Sequence, residues 1–63
     1  MKSSEIINKL KSNGWVLDRV RGSHHIFTKE GFLRPVTVPH PKKDLPIGTV
    51  RAIEKQSGVK LLQ

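Results

Sequence analysis

Cysteine is absent from the 63 residues, and so is tyrosine. Without cysteine there is neither a disulfide nor a thiolate zinc site to stiffen so small a fold, and secreted domains of this size usually depend on such staples. The absence fits a cytoplasmic protein held together by its own packing or by a partner. Long apolar runs are missing too. None approaches the roughly 20 residues of a membrane span, and Met1-Lys2-Ser3-Ser4-Glu5 leads into no apolar stretch long enough for a signal peptide. The expectation is neither a membrane protein nor an exported one. Acidic side chains are scarce: five Asp and Glu stand against twelve Lys and Arg, a formal charge of +7. Solubility needs far less charge than that, of either sign. A basic excess this large attracts polyanions, nucleic acid first among them.

What is present reads as one small domain over residues 1–63. A chain of this length buries only about 60% of the surface it exposes when unfolded, so its core is a single thin layer. Ser3 or Ser4 is the expected cap of a first helix with Ile6, Ile7 and Leu10 on one face, ending at Asn13-Gly14. Three strand candidates follow, Trp15 to Arg21, His24 to Lys29 and Leu33 to Val38. Gly22-Ser23 offers glycine at the first central position of a tight hairpin turn, and Lys29-Glu30-Gly31 a second turn. Pro35 makes the third run an edge strand or marks its entrance, and Pro39-His40-Pro41 ends the pairing. Asp44 is the expected cap of a last helix that carries Ile47, Val50, Ile53 and Ser57 on one face and stops at Gly58.

The fold class is therefore α+β in the order α-β-β-β-α, a three-stranded antiparallel sheet with both helices on one face. The expected core is Ile6, Leu10, Leu17, Phe27, Val38, Val50 and Ile53, with Trp15 as a core residue rather than a stacking platform. Side chains alternate across a strand. Phe27 and His25 then face the core while His24 and Ile26 face the open side, unless a bulge at the Gly22-Ser23 turn shifts the parity.

Three histidines raise the question of a metal. Zinc ligands come as closely spaced pairs that converge, whereas adjacent His24 and His25 diverge on a strand, so no metal site is expected. Acid–base chemistry asks for less. RNA supplies its own nucleophile in the 2′-hydroxyl, and one imidazole takes up or gives a proton near neutral pH. Cationic side chains stabilise the charge that builds on the phosphate, and Arg19, Arg21, Lys42 and Lys43 are the candidates, the last two just ahead of the second helix.

Three segments carry a family likeness. Gly22-Ser23-His24-His25-Ile26-Phe27 is similar to a G-S-H-x-x-F active-site segment, and Val36-Thr37-Val38-Pro39-His40-Pro41 to a T-V-P-x-H stretch. Leu45 to Ile53, with Gly58, is similar to a G-T-hydrophobic-basic-x-I helix. With the Gly14-Trp15 junction they span nearly the whole chain, and together they resemble the HicA family of bacterial and phage toxins, the mRNA interferases of two-component toxin–antitoxin systems. The resemblance implies a double-stranded-RNA-binding-domain-like fold, cleavage of mRNA without metal or other cofactor, and a HicB-like antitoxin protein that covers the active site. It places the catalytic role on His24. Arg21, Gly22, Ser23, Lys42 and Lys43 complete the candidate site as RNA contacts. No role passes to His25, or to His40, which follows Pro39 directly where the family pattern has an intervening residue. A second reading is a non-catalytic double-stranded-RNA-binding module of the same fold, which grips about 16 base pairs through helix and loop contacts and needs no strand histidine.

Overall fold

A computed structural model of the chain describes residues 1–62. Its elements run α1 (Ser3–Ser12), β1 (Val16–Arg21), β2 (His24–Thr28), β3 (Val36–Pro39) and α2 (Ile47–Ser57), the expected α-β-β-β-α order. The strands form one antiparallel sheet in the order β1-β2-β3. Neither helix is long and apolar enough to cross a membrane.

Both helices lie over the same face of the sheet. The α1 face of Ile6, Ile7 and Leu10 and the α2 face of Val50 and Ile53 meet Phe27, Val36 and Val38, and all eight are buried. Trp15 is buried at the α1–β1 junction, its ring 4.8 Å from that of Phe32. The helices sit toward β3, however, and leave β1 uncovered. Leu17 shares the inner face with its partner Phe27 yet remains 39% exposed, so it is not the core residue the alternation suggested. Its place is taken by residues from irregular segments, Leu45 before α2 and Val59 and Leu61 after it. On α2 the expected face holds at Ser57 but not at Ile47, which is exposed at the first turn.

Ends and edges show where local chemistry gave way to tertiary contacts. Lys2, not Ser3 or Ser4, is the N-cap of α1, because the Ser3 hydroxyl is engaged by residues 40–42 instead. Asp44 does not cap α2, whose N-cap is Pro46; its carboxylate accepts from the Met1 amino group at 3.0 Å. β3 begins at Val36 rather than Leu33, since Pro35 has no N–H to pair, and Leu33 is left fully exposed. Both sheet edges are guarded against foreign strands: β3 is short with prolines at its ends, and β1 carries Asp18, Arg19 and Arg21.

Gly58, at φ 72°, turns the chain out of α2 in the left-handed conformation that glycine adopts without strain. The Glu54 carboxylate then accepts the N–H groups of Leu61 and Leu62 at 2.7 and 2.8 Å, and so folds the tail back onto the core. The bond from Leu62 and then that from Leu61 hold this carboxyl below the usual glutamate range, with Lys60 and Arg51 assisting. A carboxyl whose pKa is depressed on folding contributes stability above its unfolded value, and that contribution is lost as pH falls through the folded value. Thermal unfolding of the wild type should therefore weaken more steeply than that of Glu54→Gln as pH drops from the ordinary glutamate value of 4.5 downward. Parallel pH profiles for the two proteins would show that the clamp carries no proton-linked stability.

Candidate active site

The β1–β2 hairpin closes through Gly22-Ser23, with Arg21 and His24 directly paired on either side. Gly22 has φ 60° and among the described residues no non-glycine residue has positive φ, so this is a type II′ turn, whose twist suits a two-residue hairpin. His24 opens β2 and is solvent-exposed. Its other Cα partner is Pro39 of β3.

The neighbours of His24 depend on a bulge. Leu17 pairs with Phe27, but Ile26 pairs with Arg19, so Asp18 is the extra residue in β1. Directly paired residues project to the same side of a sheet. Arg19 therefore joins Ile26 on the open face, and Arg21 joins His24 there. In an unbroken ladder Leu17 and Phe27 would put both arginines on the helix side. The irregularity lies in the strand at Asp18 and not, as the sequence allowed, at the Gly22-Ser23 turn, so His24 and Ile26 keep the outward parity expected of them. Asp18 pairs with Arg19 at 3.3 Å, both exposed to solvent, a contact worth little.

His25 and His40 lie on the other side. His25 is half-buried beside Val38, its Cα partner, with its ring edge-on to His40 at 4.8 Å and 83°. Its buried Nδ1 has no protein partner. The backbone N–H of His40 donates to Ser23 C=O at 2.7 Å and so ties the loop after β3 to the His24 turn. From there residues 40–43 run along the first turn of α1, not toward the start of α2 as the order in sequence implied: Ser3 N–H donates to Lys42 C=O at 2.9 Å. His40, Lys42 and Lys43 together with Lys2, Ser3 and Ser4 line an open basin of about 560 Å³. Sequence reasoning placed Lys42 and Lys43 in the site but missed Lys2, Ser3 and His40; Ser3 reaches His40 and Lys42 from 37 and 39 residues away.

Two basic regions thus adjoin one turn. Arg21 and Arg19 flank His24 on the open face, and Lys42 and Lys43 occupy the basin joined to the turn through Ser23. Among the described residues neither Arg21 nor Lys42 nor Lys43 has a carboxylate partner, so their charge is available to an outside anion. An exposed imidazole beside uncompensated cations is suited to moving a proton next to a phosphate. No three His, Asp or Glu side chains among the described residues are grouped to hold a metal ion.

Comparison with known proteins agrees with this architecture. The family model for the HicA toxin of bacterial toxin-antitoxin matches residues 3–59. A solved structure described as the HicA3 and HicB3 toxin-antitoxin complex contains a chain that is 35% identical, with a TM-score of 0.86. The match covers 98% of this chain and 100% of that one. No curated protein sequence matches. The chain belongs to the HicA toxin family.

The turn itself is open to test. A Cβ on Gly22 would meet nothing within 4 Å, so a substitution there is resisted by the backbone alone. Gly22→Ala should lower stability by about 1–3 kcal/mol, and Gly22→Asn by less, since asparagine is among the residues that this turn type accepts. Chemical denaturation of the three proteins gives the order; an unaffected Gly22→Ala would mean that the turn is not held in this form.

Proposed function

We propose that this toxin is an endoribonuclease that cleaves mRNA without a metal ion, with His24 as its single general acid–base. The observation that supports the reading most is the placement of His24, exposed at the mouth of the hairpin with Arg19 and Arg21 brought to its face by the Asp18 bulge. His24 takes the proton of a 2′-hydroxyl, whose oxygen attacks the adjacent phosphorus. The bond from phosphorus to the 5′-oxygen breaks, and the same imidazole returns its proton to that oxygen. The products are a 2′,3′-cyclic phosphate and a 5′-hydroxyl, and no outside reactant is consumed. Arginine charge at the face favours the phosphorane-like transition state over the ground state. The need for a 2′-hydroxyl confines the reaction to RNA.

Arg21, Lys42 and Lys43 serve as phosphate contacts, and Gly22 and Ser23 let the strand approach the turn closely. A HicB-like antitoxin would block the site by laying an acidic surface over the open sheet face and the His24 turn, with association that is fast and sensitive to salt. The cytoplasm, where mRNA is met, is the expected place of action.

His24 lies outside the core, so His24→Ala should fold and still bind the antitoxin while cleavage of cellular RNA falls by about 10²- to 10⁴-fold. A chelator should leave the wild type active. Retained cleavage in His24→Ala would refute the mechanism, and a wild type that binds RNA without cutting it would be the double-stranded-RNA-binding module instead. Binding to single-stranded RNA should weaken with salt, and Arg21→Ala should lower the log–log slope by roughly 0.7, the share of one phosphate contact. The same slope should be unmoved by Lys55→Ala on α2.

A further inference from the structure

The basin beside the His24 turn has a polar anchor that holds the His40 ring in place. Ser3 is 1% exposed, and its hydroxyl has three neighbours: Nδ1 of His40 at 2.7 Å, the carbonyl of Lys42 at 3.1 Å and the N–H of Lys42 at 2.8 Å. A serine hydroxyl has one hydrogen to give and two lone pairs to accept with. The Lys42 N–H uses one lone pair. The hydroxyl hydrogen goes either to the Lys42 carbonyl, which already accepts the Ser3 N–H at 2.9 Å, or to Nδ1 of a neutral His40 ring. A ring charged by a second proton fits the same site: Nδ1 then donates into the second lone pair, the hydroxyl hydrogen turns to the Lys42 carbonyl, and Nε2 is a charged donor. His40 is half-buried, and its ring lines the basin with Lys2, Lys42 and Lys43.

His40 does not share the face of His24. Pro39 is the partner of His24, so the next residue turns to the helix side, where its ring meets His25. The two histidines therefore do not serve one scissile bond. They are joined through the backbone, by the pairing of His24 with Pro39 and by the His40 N–H to Ser23 C=O bond. The basin presents lysines and no carboxylate, which suits a singly charged phosphodiester.

We propose that the basin receives a second backbone phosphate of the RNA strand, next along from the linkage at His24, with protonated Nε2 of His40 as a donor to it and Ser3 as the residue that holds the ring in that role. This rests on the reading of the chain as an RNA-cleaving toxin and adds to it a subsite, a binding role for His40 and a proton linkage. RNA affinity should rise on acidification, because a second proton gives the His40 ring a positive charge and a charge-assisted bond to the phosphate. The charged and titratable groups around the ring are few. Lys2 comes from the N-cap of α1, Lys42 and Lys43 from the loop, and His25 from β2. Glu5 of α1 is held by the Lys2 N–H and Asp44 of the loop by the Met1 amino group.

The test is RNA binding in a cleavage-deficient His24→Ala background, using a short single-stranded RNA of mixed sequence and fluorescence anisotropy. Affinity should tighten about tenfold, the worth of one charge-assisted hydrogen bond, on going from neutral to mildly acidic solution. The log–log salt slope should grow by roughly 0.7 over the same interval. Adding His40→Asn keeps a donor where Nδ1 was and removes Nε2, so both changes should vanish while the melting temperature holds. Lys43→Gln, which touches none of the Ser3 bonds, should lower the slope by roughly 0.7 at both pH values. Acid-dependent tightening that survives His40→Asn would overturn the proposal. If His40→Asn does not fold, an unchanged slope in Lys43→Gln overturns it equally. A basin whose substitutions weaken binding of the antitoxin and leave RNA binding intact would be a protein-docking site, again against it. A background protein with no RNA affinity at either pH would instead refute the ribonuclease reading on which the proposal stands.

Discussion

One buried hydroxyl ties the start of this chain to the loop after β3. Ser3 Oγ bonds to His40 and Lys42, and the adjoining backbone adds Ser3 N–H to Lys42 C=O and Leu45 N–H to Met1 C=O. These contacts close a loop of about 40 residues, and loop-closure entropy grows only slowly with length. A few well-made hydrogen bonds can therefore hold it. In a chain without cysteine they stand where a disulfide would in a secreted domain. They also fix α1 over β3, and the position of α1 decides which strands are covered.

Because the helices sit over β2 and β3, β1 carries no structural load beyond its ladder to β2. Its side chains are exposed on both faces, Val20 at 49% and Leu17 at 39% among them. That freedom is what allows a bulge at Asp18 without loss of packing. The bulge in turn sets the direction of Arg19 and Arg21. Core packing and arginine placement are thus coupled through one constraint, the position of the helices along the sheet. A strand buried on its inner face would be held to strict alternation and would turn the two arginines away from His24.

The parts of this arrangement that depend on short-range pattern were legible in the sequence. Ile6 and Leu10 on one helical face, Val50 and Ile53 on the other, the Gly22-Ser23 hairpin and the stop at Gly58 all follow from local spacing and backbone preference. The outward parity of His24 followed from Phe27 pointing in. Leu17 was misplaced because periodicity tells which face a residue takes but not whether a helix lies over it. Ser3 was read as a cap because serine at a helix start usually is one; its actual partners are 37 and 39 residues away. The bulge did leave a trace. Val16-Leu17 and Asp18-Arg19 put two apolar and then two charged residues side by side, a break in alternation that marks an extra residue. The basin left none, since nothing local links Lys2 to Lys43.

The same uncompensated charge that suits this surface to an anion works against the fold. Twelve basic residues face five acidic ones, and the ion pairs among the described residues are Met1 with Asp44 and Asp18 with Arg19, neither of which offsets Arg21, Lys2, Lys42 or Lys43. Like charges gathered at one end of a small domain repel one another and favour expansion. Repulsion of this kind is relieved by anything anionic that binds the folded form and not the unfolded chain. It persists in isolation because the core lies elsewhere, under Phe27, Val36 and Val38, and because the Ser3 contacts hold the basic loop by its backbone and leave the lysine side chains free. The backbone carries the structure at that end, and the side chains are left to meet a partner.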